Sequence, residues 1–156
     1  MTIGAFWRSA GVVAASWLAV GGCLAGTVRL DDSGSYALQP AAQMQWRSAL
    51  PSRQTGPDTE AQVRVHIMID TRAHIGQTGR IYMVLPLDPG PQLLVEWQTQ
   101  GQLLPGKILS GQRTLVYAGL LTGPSLDDQF VVRFRSQSDW LAHSRQLNFH
   151  FELDTP

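Results

Sequence analysis

The chain has 156 residues, with 12 Lys+Arg against 12 Asp+Glu, a formal net charge of 0 and 44% hydrophobic residues. No stretch is strongly basic, so the electrostatic footprint of a nucleic-acid-binding protein is missing. Cys23 is the single cysteine, which excludes an intramolecular disulfide and leaves the body of the chain without thiol catalysis or zinc–thiolate chemistry.

The first 25 residues have their own layout. Arg8 supplies one positive charge, Ser9 to Val20 is an apolar run, and Gly21-Gly22-Cys23-Leu24-Ala25 offers small residues at a cut site. This is the pattern of a secretory signal peptide. It predicts an exported protein, placed in the periplasm, the outer membrane or at the cell surface. Val20-Gly21-Gly22-Cys23 also resembles a bacterial lipobox, in which Cys23 would carry a diacylglycerol; Gly21 departs from the usual pattern. Cleavage after Gly21 or Ala25, and lipidation of Cys23, are both compatible with these residues. A retained membrane anchor fits less well, because Ser9 to Leu24 falls short of the roughly 20 residues a spanning helix needs. Lipidation would make Cys23 the only membrane attachment. Residues 27–156 are then one domain, large enough to bury a core without metal or disulfide.

Past the leader, period-two alternation dominates. Val28–Leu30, Tyr36–Gln39 and Ala42–Arg47 are short strand candidates. Asp31-Asp32-Ser33-Gly34 between them reads as a turn, since it lacks the ligand spacing of a calcium loop. Ser48 to Glu60 reads as a polar loop. Ala61–Asp70 predicts a half-buried strand, with Val63, Val65, Ile67 and Ile69 inward and Arg64, His66, Met68 and Asp70 outward. Arg80–Leu87 is nearly all apolar and predicts a central strand covered on both faces, ended by Pro86. Asp88-Pro89-Gly90-Pro91 is a turn.

Gln92–Thr99 predicts a strand with Leu93, Val95 and Trp97 inward. A turn at Leu109–Gln112 precedes another strand at Arg113–Ala118. Thr122-Gly123-Pro124 breaks the pattern again, and Asp127-Asp128 after it reads as part of a turn. Gln129–Arg135 sets Phe130, Val132 and Phe134 against Val131, Arg133 and Arg135. Ser138–Ser144 allows one turn of helix. Arg145–Leu153 closes the chain with Leu147, Phe149, Phe151 and Leu153 inward.

Seven to nine short strands joined by turn-rich loops predict an all-β fold, an antiparallel sandwich of immunoglobulin-like type, with a small barrel as the alternative. The pattern resembles that of many bacterial exported immunoglobulin-like domains, among them surface-fibre subunits and small periplasmic accessory proteins. No residue motif selects one family within that resemblance.

The chemistry-bearing residues form no catalytic motif: no nucleophile elbow, zinc-protease helix, phosphate loop or dinucleotide fingerprint. No catalytic residue, cofactor or metal is therefore assigned. His66 and His150 would share a surface if their strands paired, flanked by Arg64 and Glu152, and could then ligate a metal. Trp46 and Trp97 fall in strands and belong in or beside the core. Trp140 follows Ser136-Gln137-Ser138-Asp139 in a polar hairpin, where the indole either covers the end of the sandwich together with Leu141 or, if exposed, stacks on a sugar or anchors a partner. Trp140, Asp139 and His143 form the candidate binding site.

The expected role is a non-catalytic binding or assembly module of the bacterial cell envelope. Its partner would be another envelope protein or a surface glycan. Carbohydrate binding through loop aromatics is the alternative, and a small periplasmic enzyme built from scattered residues such as Asp127, His143 and Glu96 is the third reading.

Overall fold

The computed structural model describes residues 26–38, 45–46, 59–87, 92–136 and 148–156, with the backbone alone described at 45, 46, 59 and 136. The strands are β1 (Thr27–Arg29), β2 (Tyr36–Ala37), β3 (Gln45–Trp46), β4 (Thr59–Asp70), β5 (Thr78–Val84), β6 (Leu93–Thr99), β7 (Gly106–Leu109), β8 (Arg113–Leu120), β9 (Ser125–Ser136) and β10 (His150–Asp154). One short 3-10 turn, Arg72–His74, is the only helix among the described residues, and no described helix is long and apolar enough to cross a membrane.

The strands form two antiparallel sheets. The smaller has the order β1-β10-β5-β8; the larger runs β2-β4-β9-β6-β7, with β3 also pairing β4. β4 and β9 are the spine of the larger sheet. They pair in unbroken register from Thr59↔Ser136 to Asp70↔Ser125. β3–β4 and β6–β7 are the consecutive strands that pair with each other. The steps from β4 to β5, β5 to β6, β7 to β8, β8 to β9 and β9 to β10 each change sheet.

The alternation explains the layering. On β4, Val63, Val65, Ile67 and Ile69 are buried, and on β9 Phe130, Val132 and Phe134 are buried beside them. Ile81, Met83, Phe151 and Leu153 of the smaller sheet join the same apolar cluster, which fills the space between the sheets. Branched and aromatic side chains on two facing surfaces are what sheet-on-sheet packing requires. Trp97 is 2% exposed. Its ring lies parallel to Phe130 at 6.2 Å, and its Nε1 donates to the Leu104 carbonyl at 2.9 Å.

Several expectations change against this frame. β5 buries one face only: Ile81 and Met83 are inside, while Tyr82 and Val84 are half-buried on the other side. The outer side is covered by an arginine, not by a third layer, with Arg113 Cζ 4.1 Å from the centre of the Tyr82 ring. Glu60, placed by the sequence in a loop, belongs to β4. Asp127 and Asp128 belong to β9 and not to a turn. The β7 strand carries too few alternating residues to be read from sequence. The turn after it was legible: Gln112 N donates to Leu109 O, and Gly111 supplies the positive φ, +82°, that this turn needs. The Asp31–Gly34 segment is a turn as read, with Ser33 N donating to Asp31 Oδ1 at 2.9 Å.

Candidate functional site

The outward face of the larger sheet gathers the most polar side chains. β4 contributes Gln62 and Arg64 and β6 contributes Glu96 and Gln98, with β9 between them contributing Val131 and Arg133. The register sets them in rows. Gln62, Arg133 and Glu96 lie side by side across the three strands, and Arg64, Val131 and Gln98 form the next row. Gln62, Glu96, Trp97, Gln98, Val131 and Arg133 line an open depression of about 300 Å³.

Its charged groups are held in place. Arg133 Nε lies 2.9 Å from Glu60 Oε1, Arg135 Nε 3.4 Å from Glu60 Oε2, and Arg135 Nη1 3.4 Å from Glu96 Oε2. Both Nε atoms are shielded from solvent and face the carboxylate without hydrogen-bond geometry. These are contacts of charge between partly exposed side chains, a class of pair that contributes little to stability. Their effect is to fix two guanidinium groups on a rigid surface.

A second group lies further along the same face. Tyr36 and His66 are register partners, with ring centres 5.0 Å apart. His66 Nε2 is 3.6 Å from Asp127 Oδ1, and Ser125 Oγ donates to Asp127 Oδ2 at 2.6 Å. Serine, aspartate and histidine are all present, yet the carboxylate sits between the other two. A nucleophilic triad needs the imidazole against the hydroxyl. This arrangement orients side chains and does not activate Ser125.

The two histidines that would share a surface if their strands paired do not. His66 is on β4 and His150 on β10, in different sheets. Both point outward, so the sandwich separates them, and the metal reading falls with that separation. His150 does lie beside Glu152, Nε2 to Oε1 3.2 Å, while Arg64 is on the opposite sheet. Among the described residues no group of three or more His, Cys, Asp or Glu is poised to hold a metal ion. Asp127 and Glu96 are also apart: Glu96 aligns with Arg133, six residues further along β9 than Asp127, or roughly 20 Å of strand. His143, Trp140, Asp139 and Cys23 lie outside the described residues.

The outer face of the smaller sheet carries a separate ion-pair cluster. Arg113 Nη2 bonds Asp154 Oδ2 at 2.6 Å, with Glu152 Oε2 3.6 Å from Nη1 and Thr27 Oγ1 donating to Asp154 Oδ1 at 2.7 Å. The Arg113 guanidinium, then Thr27, hold the Asp154 carboxyl below its ordinary value of 3.8. Arg72 does the same to Asp70. The Arg113 pair ties β8 to β10, and Asp154 also lines an open depression of about 340 Å³ with Thr78, Gly79, Arg80, Ala118 and Gly119; Arg72–Asp70 is a local pair at the end of β4.

Sequence reading set Arg64, Val131, Arg133 and Arg135 outward, but it did not single out Gln62 or Gln98 and did not group these residues. The missing information was the strand order: nothing local to β4 or β6 says that β9 lies between them. No protein-family model, curated protein or solved structure matches the chain.

Proposed function

We propose that this chain is an exported, non-catalytic binding module of the bacterial cell envelope, and that it binds through the outward face of its larger sheet. The observation that carries the reading is the depression among Gln62, Glu96, Gln98 and Arg133. Four long polar side chains project from three paired strands, and part of their charge is already oriented by Glu60 and Arg135. Sites built on strands keep their geometry better than sites on loops.

Assembly by strand addition is less well supported than face binding. The edge strand β7 is four residues long and carries Lys107, the only lysine of the chain; short edges and edge lysines both discourage pairing. β1 is three residues long. The edge of β8 is partly occupied, because Leu104 N donates to Val116 O at 2.7 Å.

Export rests on the charged–apolar–small layout of residues 1–25. In this reading the leader is lost, and Cys23 is either removed with it or lipidated. Mass spectrometry of the native protein then finds a truncated N-terminus; intact Met1 in a cytoplasmic fraction sinks the proposal. Cys23→Ala separates the two processed forms, since only a lipidated protein loses membrane association. The immunoglobulin-like character is proposed at the level of two facing antiparallel layers, and an experimental structure closed into a barrel overturns it.

The binding test is a pull-down from envelope extract with wild type, a Gln62→Ala/Gln98→Ala variant and Trp140→Ala. Loss of the bound partner in the double variant supports the sheet face. Loss in Trp140→Ala alone moves the site to the connection between β9 and β10, which reads from sequence as a hairpin but joins strands of different sheets. Turnover of a substrate by the purified protein removes the non-catalytic reading.

A further inference from the structure

We infer that the depression on the larger sheet binds a neutral polysaccharide chain laid across β4, β9 and β6, an inference that rests on the face-binding reading above and names its ligand. The lining carries the chemistry. Gln62 and Gln98 each present a donor and an acceptor, Arg133 presents donors only and Glu96 acceptors only. A sugar hydroxyl both donates and accepts, so vicinal hydroxyls match amide, guanidinium and carboxylate edges.

Charge selects within that class. The lining holds one cation, Arg133, and one anion, Glu96. An anionic ligand would sit against Glu96 and a cationic one against Arg133. A neutral ligand meets neither penalty. A protein partner is disfavoured by composition, because interface centres are depleted in charge and rich in aromatic anchors, whereas Trp97 of the lining is 2% exposed with its indole turned into the core and the apolar side chain presented at the centre is Val131, half-buried between Arg64 and Gln98.

The face is also the right length for a chain. Tyr36 is 56% exposed and rests on His66, four residues along β4 from Gln62. That is about 13 Å at the rise of a strand. An exposed aromatic at that distance offers a stacking platform for a further ring. Oriented side chains lower the ordering cost of binding, and Arg133 is held by Glu60 before any ligand arrives.

The test is native affinity electrophoresis of the purified protein in gels containing dextran, galactomannan, mixed-linkage β-glucan or polygalacturonate. The expected result is retardation in at least one neutral gel. Gln62→Ala/Gln98→Ala weakens it about tenfold or more with unchanged thermal melting, and Gln77→Ala, an exposed residue beside β5 of the smaller sheet, migrates as wild type. Absence of retardation in every neutral gel overturns the inference. So does retardation by polygalacturonate alone that salt abolishes, which is ion exchange on arginines. Undiminished retardation of the double variant moves the site off this face and overturns it too. The envelope pull-down separates the two levels. If no neutral glycan binds but the double variant still loses a protein partner, the ligand class falls and the binding face stands. If neither experiment yields a partner, the binding module falls as well.

Discussion

Four backbone N–H groups converge on the carboxylate of Asp128, a side chain only 5% exposed. Gln100, Gly101 and Gln129 donate to Oδ1 at 3.2, 2.8 and 2.7 Å, and Leu103 donates to Oδ2 at 2.9 Å. Gly101 has to be glycine at this approach, since a Cβ would come 2.9 Å from the Asp128 Cγ. Hydrogen bonds to a charged acceptor contribute more than neutral ones, and stranded buried donors cost more still. Asp128→Ala is therefore expected to lose about 3 kcal/mol or more in chemical denaturation. Its neighbour Asp127 points to the exposed face, and Asp127→Ala should change stability by less than about 0.5 kcal/mol. Equal effects of the two would mean that the carboxylate does not hold the loop. Reading Asp127-Asp128 as part of a turn hid what the inward one does. A buried aspartate inside a strand pattern was the available signal. The same scale distinguishes two phenylalanines read alike from sequence. Phe151 is fully buried, while Phe149 is half-buried and meets it edge-on at 6.1 Å. Phe151→Ala should cost roughly 3–5 kcal/mol, and Phe149→Ala clearly less; the reverse order in thermal or urea melts would invert the packing of β10.

At the scale of elements, the loop that Asp128 pins has a second task. It brings Leu104 N to the Val116 carbonyl on the edge of β8, and Leu104 O accepts from the Trp97 indole. One loop thus links the larger sheet to the edge of the smaller. On the other side of that sheet, Arg113 reaches over Tyr82 to Asp154, joining the edge strand β8 to β10 across β5. The Asp154 and Asp70 carboxyls are both held below their ordinary value of 3.8 by arginine hydrogen bonds. For a carboxyl lowered in the folded state, the unfolded chain binds protons first as pH falls. The contribution is complete above the unfolded value near 3.8 and disappears as pH drops through the lower folded value. Stability should accordingly fall below about pH 4, and Asp154→Asn with Asp70→Asn should flatten that acid limb while lowering stability at neutral pH. An unchanged slope in the double variant would show that these pairs are not formed in solution. Strand existence was legible here because apolar alternation is local. Strand partners were not, because pairing depends on crossings between sheets that leave no mark in any short window. β5 is the instructive case. Its run of apolar residues reads as a doubly covered strand, yet Tyr82 is only half-buried and lies under the guanidinium of Arg113, a cover that a hydropathy pattern does not anticipate.

For the whole molecule, the connectivity constrains how it folds. The spine pairs Thr59 with Ser136 and Asp70 with Ser125, and Thr27 pairs with Asp154, 127 residues apart in sequence. Few of these contacts are local, so loop-closure entropy is lost before burial compensates for it. Phe130 on the spine and Phe151 on β10 belong to one apolar cluster shared by both sheets, so neither sheet can bury its inner face without the other. Two consequences are expected together for residues 27–156. Unfolding should be a single cooperative transition, with far-UV circular dichroism of a sheet-rich spectrum and tryptophan fluorescence coinciding. Refolding should take milliseconds to seconds, the range of non-local all-β domains. Trp97 is the reporter of choice, since it is 2% exposed between β9 and the pinned loop; Trp46→Phe and Trp140→Phe isolate its signal. Separate transitions for the two probes would mean that the sheets are independent units, and refolding within microseconds would mean that local contacts, not the β4–β9 spine, govern the fold.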